Sequence, residues 1–365
     1  MGLEESFRRK KNRAGLQECD LVREKVKPVR GLARSYVMKH IARAIPVRSL
    51  WPLPSPTTEA GDRRDVGIEI ELGGLKPARV AEVVAAQLGG EARQTDKHDH
   101  VVEGSRIGDV KVYLDTRYRK SGRKLVRLGV DLAEPLVPVE IVTPPIAPED
   151  ITLLDRMNEA LRDAGAEGTR DGILLGYGVH LNPQVKALTL EGILPVLRAF
   201  AVLEDLLRKM DPIDPSRRMQ PFVDPWPRKL ADRLAGEDFA SLDALMDAYL
   251  QESPSRNHGL DALPLFAEID HDRVKAALGE DGLVSARPTW HYRLPDCRID
   301  EEGWSLAYEW NRWVMVERVA EDSALLERLA EGFAAHRDQL TATKGDWARE
   351  AGEMVEQAGV LEASA

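Results

Sequence analysis

The sequence predicts an α+β fold with several antiparallel strands. Segments of strict apolar and polar alternation cluster between residues 65 and 182, stretches at helical spacing separate and follow them, and Gly and Pro mark the boundaries. The opening strand, Asp65-Val66-Gly67-Ile68-Glu69-Ile70-Glu71-Leu72, sends Ile68, Ile70 and Leu72 to one face and Glu69 and Glu71 to the other. Residues 77–88 suit a short helix, with Val80, Val83, Val84 and Leu88 in register. Residues 110–115 and 124–132 alternate again around a turn at Lys120-Ser121-Gly122-Arg123, and a strand over 137–143 is closed by Pro144-Pro145. A helix over 149–163 ends at Gly165, and a strand over 172–182 stops at Pro183. Thr189 is placed to cap an amphipathic helix reaching Met210, whose stripe of Leu190, Ile193, Leu194, Leu197, Phe200 and Ala201 belongs to a core. The Pro-rich stretch 211–227 reads as a surface loop, and 228–250 and 304–357 read mainly as helices. Trp51 to Thr58, rich in Pro and hydroxyl residues, reads as a linker.

Composition narrows the class. A chain of 365 residues with 43% hydrophobic and 31% charged residues can bury a sizeable core as one large domain or two ordinary ones. No run approaches the roughly 18 apolar residues of a membrane span, and the charged N-terminus lacks an apolar signal core, so a cytoplasmic protein is expected. Cys19 and Cys297 are far apart and support neither a disulfide framework nor a thiolate zinc site. Residues 1–60 carry 13 Lys and Arg against 6 Asp and Glu, a net +7, leaving −17 on the remainder. The basic run Arg8, Arg9, Lys10, Lys11, Arg13 could contact an acidic partner or form a solvated arm, while the acidic body argues against nucleic-acid binding as the main function.

The chemistry-bearing residues fall on strands. Glu69 and Glu71 share a face roughly 7 Å apart, where two carboxylates repel unless a cation lies between them or the face is solvated. Lys111, Tyr113 and Asp115 share a face of another strand, Glu140 stands between Val139 and Ile141, and His180 and Asn182 lie two apart. Taken singly, Glu140 is as well explained by an arginine partner, and His180 by an ordinary hydrogen bond. Converging on one sheet face, carboxylates and an imidazole make a site for divalent cations and nucleotide phosphates.

Gly67-Ile68-Glu69-Ile70-Glu71, then Val139-Glu140-Ile141-Val142-Thr143-Pro144-Pro145, then Gly178-Val179-His180-Leu181-Asn182 resemble the amidoligase family, itself similar to the carboxylate-amine ligases glutamine synthetase and glutamate-cysteine ligase. The resemblance extends to Asp115, to Arg256-Asn257 ahead of Leu260-Asp261-Ala262-Leu263, and to Tyr292-Arg293-Leu294-Pro295, and covers roughly residues 65–300. It implies a curved antiparallel sheet with ATP and Mg²⁺ on the concave face and helices on the convex side. It also implies Glu69, Glu71, Glu140 and His180 as metal ligands, and catalytic roles for Asp115, Arg293 and Asn182. Arg256, Asn257, Arg298 and Arg218 become candidates for the nucleotide or carboxylate, with Arg217 in reserve and exposed salt bridges as the competing explanation. At His291 the family pattern favours an acidic residue, and this chain has none.

The implied domain plan is a basic, partly disordered arm and linker over 1–60, a catalytic core over 61–303, and a helical extension over 304–365 packed on the core. The implied reaction is ATP-dependent joining of a small-molecule or peptide carboxylate to an amine through an acyl phosphate. Two other classes stay open: a scaffold that retains the fold without ligation, its basic arm recruiting a partner, and a metal-dependent hydrolase.

Overall fold

The computed structural model describes residues 40–114, 137–169, 176–219, 222–279, 284–339, 341 and 343–362. Asp115, the strand expected over 124–132 and the basic run at 8–13 lie outside the described residues. Among the described residues eight strands form one open antiparallel sheet: β1 (Val66–Leu72), β2 (Glu91–Gln94), β3 (His100–Ser105), β4 (Gly108–Leu114), β5 (Val139–Val142), β6 (Val179–Pro183), β7 (Leu260–Asp261) and β8 (His291–Tyr292). Their order, β2-β3-β4-β5-β1-β6-β8-β7, puts β1 near the middle, between β5 and β6.

That order follows from where the apolar residues must go. Ile68, Ile70 and Leu72 of β1, Ile141 of β5, Val179 and Leu181 of β6 and Tyr292 of β8 fall on one face by their pairing register and are almost wholly buried. A register slip of one residue would turn this set to the opposite face and drive the carboxylates into the apolar layer. Burying each such aliphatic side chain contributes about 1.5–3 kcal/mol.

Helices supply the facing layer. Helix α1 (Pro77–Leu88) buries Val80, Val84 and Leu88, and α2 (Ile151–Asp163) buries Leu154, Met157 and Leu161. Helix α3 (Leu190–Met210) starts at Thr189, whose hydroxyl accepts from the Gly192 amide at 3.1 Å, as its sequence predicts. The stretch 211–227 departs from the surface-loop expectation. It contains a short helix α4 (Pro215–Arg218) and buries Ile213, Arg217, Val223 and Trp226. Residues 228–250 divide into α5 (Arg228–Gly236) and α6 (Leu242–Glu252), the second started by Ser241. Helices α7 (Leu263–Ile269) and α8 (His271–Leu278) follow β7.

The C-terminal region forms α9 (Leu306–Glu321), α10 (Ser323–Arg337) and α11 (Lys344–Gln357). Helix α9 is a central element of the core, since Trp313 lies 5.4 Å from the Tyr292 ring and 6.1 Å from Trp290. Helix α11 docks on α3, with the Trp347 indole donating to the Val202 carbonyl. The Pro-rich stretch is pinned to this core: the Trp51 amide donates to Asn311 Oδ1 at 2.7 Å, the Trp310 indole donates to the Trp51 carbonyl, and Trp51 and Leu53 are buried. Proline content marked an irregular backbone, but the apolar residues between the prolines decided where it lies. No helix among the described residues is long and apolar enough to cross a membrane.

Candidate metal and substrate site

The face opposite the apolar layer gathers the polar residues of six strands. Pairing sets Glu71 of β1 directly against Glu140 of β5, Glu69 against His180 of β6, Gly67 against Asn182, and Tyr113 of β4 against Glu140. Beyond β6 come His291 of β8 and its partner Asp261 of β7. Glu71, Glu140, His180, Asn182 and His291 are buried, and Glu69 keeps 15% of its side-chain surface exposed.

Donor atoms of Glu71, Glu140 and His180 converge to within 4.8 Å of one another, as do those of Glu69, His180 and His291. His180 is common to both sets. Its Nδ1 lies 2.8 Å from Glu69 Oε2. Burial lowers the pKa of His180 despite the neighbouring carboxylates, and lowers that of His291 well below the ordinary histidine value. For Glu69 burial pulls upward, but the bond to His180 and the positive surroundings prevail and hold the carboxyl well below its usual range. The preferred arrangement is an ionised Glu69 accepting from a neutral imidazole, the pairing that orients histidines behind metal ions.

His291 is set up in the same way. Its Nδ1 meets Asp261 Oδ2 at 3.2 Å, while its Nε2 is buried with no hydrogen-bond partner. Asp261 is completely buried and anchored by the Leu263 amide and Arg256 Nε, each at 3.0 Å. With Nδ1 protonated by this contact, Nε2 presents a lone pair toward the cluster. An orphaned acceptor of this kind costs on the order of 1–3 kcal/mol unless something is bound there.

Backbone geometry fixes the carboxylates. Glu71 grips Gly178 twice, its amide donating to the Gly178 carbonyl at 2.9 Å and its Oε2 accepting from the Gly178 amide at 2.8 Å. A Cβ on Gly178 would stand 2.5 Å from Arg217 Nη2. Arg217 cannot yield readily, because it bonds the carbonyls of Arg293, Leu294 and Pro295 and the Asp296 carboxylate. The Gly178-x-His180 spacing is therefore set by close approach. Asn182 Nδ2 donates to Glu69 Oε1 at 3.0 Å, and its Oδ1 accepts from Arg287 Nη2 at 2.8 Å.

The structure thus brings together Glu69, Glu71, Glu140, His180 and Asn182. Arg293 is buried nearby, over the Phe222 ring and bonded to the Arg256 carbonyl, and its charge contributes to the depressed pKa of both histidines. Arg256 Nε donates to Asp261, the residue that backs His291. The Asn257 carbonyl accepts from the Asp224 amide, Arg218 is exposed at the end of α4, and Arg298 is engaged with Asp211, Pro212, Asp296 and Glu301. Sequence reasoning missed His291, Asp261 and Arg287 as members of the site. Position 291 carried a signal, since it is where an acidic residue was expected and a histidine stands.

Two cavities lie near the sheet, and the smaller borders the site. One of about 350 Å³ is lined by Glu69, Asn182, Gly67, Val142, Arg287 and Thr289 among others. The larger, about 720 Å³, touches His100, Leu114 and Val137 near the start of α1 and none of the clustered residues.

An open antiparallel sheet backed by helices, with carboxylates and imidazoles converging on its polar face, defines an α+β protein with a candidate divalent-cation site. The chain belongs to the amidoligase family: the profile described as "Putative amidoligase enzyme" matches residues 62–315, which run from just before β1 into α9. No curated protein matches the chain significantly. Family membership supports a ligase-type enzyme acting on small molecules.

Proposed function

We propose that the protein is an ATP- and Mg²⁺-dependent ligase that joins a carboxylate to an amine through an acyl phosphate, on a core of the glutamine synthetase type. The observation that carries this reading is the convergence of Glu71, Glu140 and His180 beside Glu69 and His291 on one sheet face, within the span matched by the amidoligase family. Burying three carboxylates side by side is unfavourable unless positive charge is supplied.

The donor sets fit divalent cations to different degrees. Glu71, Glu140 and His180 offer mostly oxygen and suit Mg²⁺ or Mn²⁺, whereas Glu69 with His180 and His291 is richer in imidazole and suits Mn²⁺ better than Mg²⁺. Bound there, a cation would neutralise phosphoryl oxygens and ease transfer to the carboxylate. The chain's own residues prepare the site. Glu69 fixes the orientation of His180, Asp261 fixes that of His291, and Asn182 holds Glu69 in place. Arg293 supplies fixed positive charge suited to an oxyanion, and a cluster carboxylate would take the proton from the attacking amine.

Activation is required because a carboxylate is a resonance-stabilised anion with a poor leaving group, and phosphorylation supplies a good one. The test is ADP release by the purified protein with Mg²⁺, ATP and panels of carboxylates and amines, with Glu69→Gln and Glu140→Gln as controls. Release that depends on both substrates and is lost in both variants is expected. If the protein does not bind ATP and neither variant alters metal affinity, the ligase reading fails.

A further inference from the structure

The donor set of Glu69, His180 and His291 differs in kind from its neighbour. Glu71, Glu140 and His180 bring two carboxylates to one position, whereas this set brings one carboxylate and two imidazoles, with donor atoms within 4.8 Å of one another. Donors about 2.0–2.2 Å from a tetrahedral ion stand roughly 3.4 Å apart, so small side-chain rotations bring all three onto one ion. Donors that enclose an ion also cover one another. The Nε2 of His291, buried and without a hydrogen-bond partner, is in the state that an enclosed coordination position requires.

Charge decides which ion fits. Mg²⁺ is held by anionic oxygens and keeps several of its waters. The single carboxylate of this set already accepts from Asn182 Nδ2 at 3.0 Å, and Arg287 Nη2 stands 3.6 Å from the same oxygen, so little net charge is left to attract a hard cation. Binding must come from nitrogen donation, which favours first-row transition ions over Mg²⁺. Two imidazoles and one carboxylate, with a further position open, is a donor pattern of zinc sites.

The chain braces this set from behind. His291 Nδ1 lies 3.2 Å from Asp261 Oδ2, and Asp261 is completely buried and held by the Leu263 amide and Arg256 Nε. A carboxylate behind an imidazole fixes Nδ1 as the protonated nitrogen and makes Nε2 a better electron donor toward a metal.

We infer that Glu69, His180 and His291 form a transition-metal site of the zinc class, different in preference from the oxygen-rich position of Glu71 and Glu140, and that His291 determines this preference. The inference rests on the proposed reading only in taking this sheet face to bind cations, and it names the ion that the second position takes.

The test is calorimetric titration of the metal-free full chain with Zn²⁺ in excess Mg²⁺, together with the visible absorption of the Co²⁺-loaded protein. Wild type binds one Zn²⁺ that Mg²⁺ does not displace, and Co²⁺ shows the intense d–d bands of a low-coordinate ion with nitrogen ligands. His291→Ala weakens Zn²⁺ binding by about a hundredfold and Asp261→Asn by about tenfold. His291→Asp, which supplies a second carboxylate, lowers the ratio of Zn²⁺ to Mg²⁺ affinity by about a hundredfold. Displacement of Zn²⁺ by Mg²⁺, a Co²⁺ spectrum like that of the aqua ion, or unchanged Zn²⁺ binding in His291→Ala overturns the site, and the wild-type spectrum decides even where a variant does not fold. ADP release reports on ligation separately. Zn²⁺ held through His291 without ADP release from any carboxylate and amine removes the ligase and leaves the site, whereas ADP release with Mg²⁺ and no retained Zn²⁺ removes the site and leaves the ligase.

Discussion

Two of the buried clusters of charge among the described residues are built to different ends. Beneath the sheet, Arg312 meets Glu309 at 2.5 Å and Asp211 at 3.3 Å, Arg298 meets Asp211 at 2.5 Å, the Trp304 indole donates to Glu309, and Arg312 donates to the Leu207 carbonyl. Burial works against the charge of Arg312, but Glu309 and its neighbours outweigh it and hold the pKa well above the ordinary value. There, cation answers anion, although Arg312 Nε is buried without an acceptor. On the opposite face, three glutamates face two histidines kept neutral by burial, and the Nε2 of His291, the Nε of Arg287 and the Thr289 hydroxyl are left without partners. A buried cluster that closes on itself holds helices together, whereas one that leaves an imidazole nitrogen without a partner is shaped to bind a ligand.

The comparison breaks most visibly at Arg312. Arg312→Met should leave Glu309 buried without its cation and cost about 3–5 kcal/mol in denaturant unfolding. A loss below 1 kcal/mol would show that the closed cluster is not structural.

Glu140→Gln should behave oppositely. Removing a like charge beside Glu71 leaves stability without metal unchanged or slightly higher, while ADP release falls by about a hundredfold or more. Mg²⁺ should raise the wild-type melting temperature, by about 2.7 kcal/mol of stability at a hundredfold excess over its dissociation constant, and raise that of Glu140→Gln far less. Equal stabilisation of the two proteins would place the ion elsewhere.

Asp155 shows what burial does to a carboxylate whose bonds come from backbone amides, those of Leu306 and Ala307 at the start of α9. Burial pushes its pKa up to about 6 from 3.8. The folded state then binds the proton more tightly than the unfolded one, so the stabilisation present at low pH is lost as pH rises from about 4 through about 6. The expected loss is roughly 2–3 kcal/mol. Asp155→Asn, which removes the titrating group and keeps an oxygen acceptor for the Leu306 amide, should flatten that slope at some cost in overall stability, and an unchanged slope between pH 4 and 7 would assign it to another group.

The smallest effect is expected at Gly178. Gly178→Ala forces a methyl against Arg217, costing about 1–2 kcal/mol and weakening metal affinity through Glu71. Lost stability with unaltered metal affinity would detach Glu71 from the cation site.

By itself, the sequence determined which side chains share a face. In a strand the period is two, so Glu69 with Glu71 and His180 with Asn182 were legible from spacing alone, as were the capped α3 and the apolar layer under β1. It also marked the strand segments that carry Glu140 and His180, because each contains enough alternating residues to show a period. Only the tertiary structure decided which faces meet. His291 and Asp261 lie on strands of two residues, too short for any periodicity, and Arg287 lies in a loop with none. Their places come from pairing and hydrogen bonds across 30 to 111 residues of chain, His291 with Asp261, Arg287 with Asn182, and His180 with Glu69. Likewise Trp51 and Leu53, read locally as part of a linker, are buried because α9 offers Asn311 and Trp310 to receive them. Local spacing records the direction of a side chain; the partner it meets is fixed only when the sheet and its helices close over a common core.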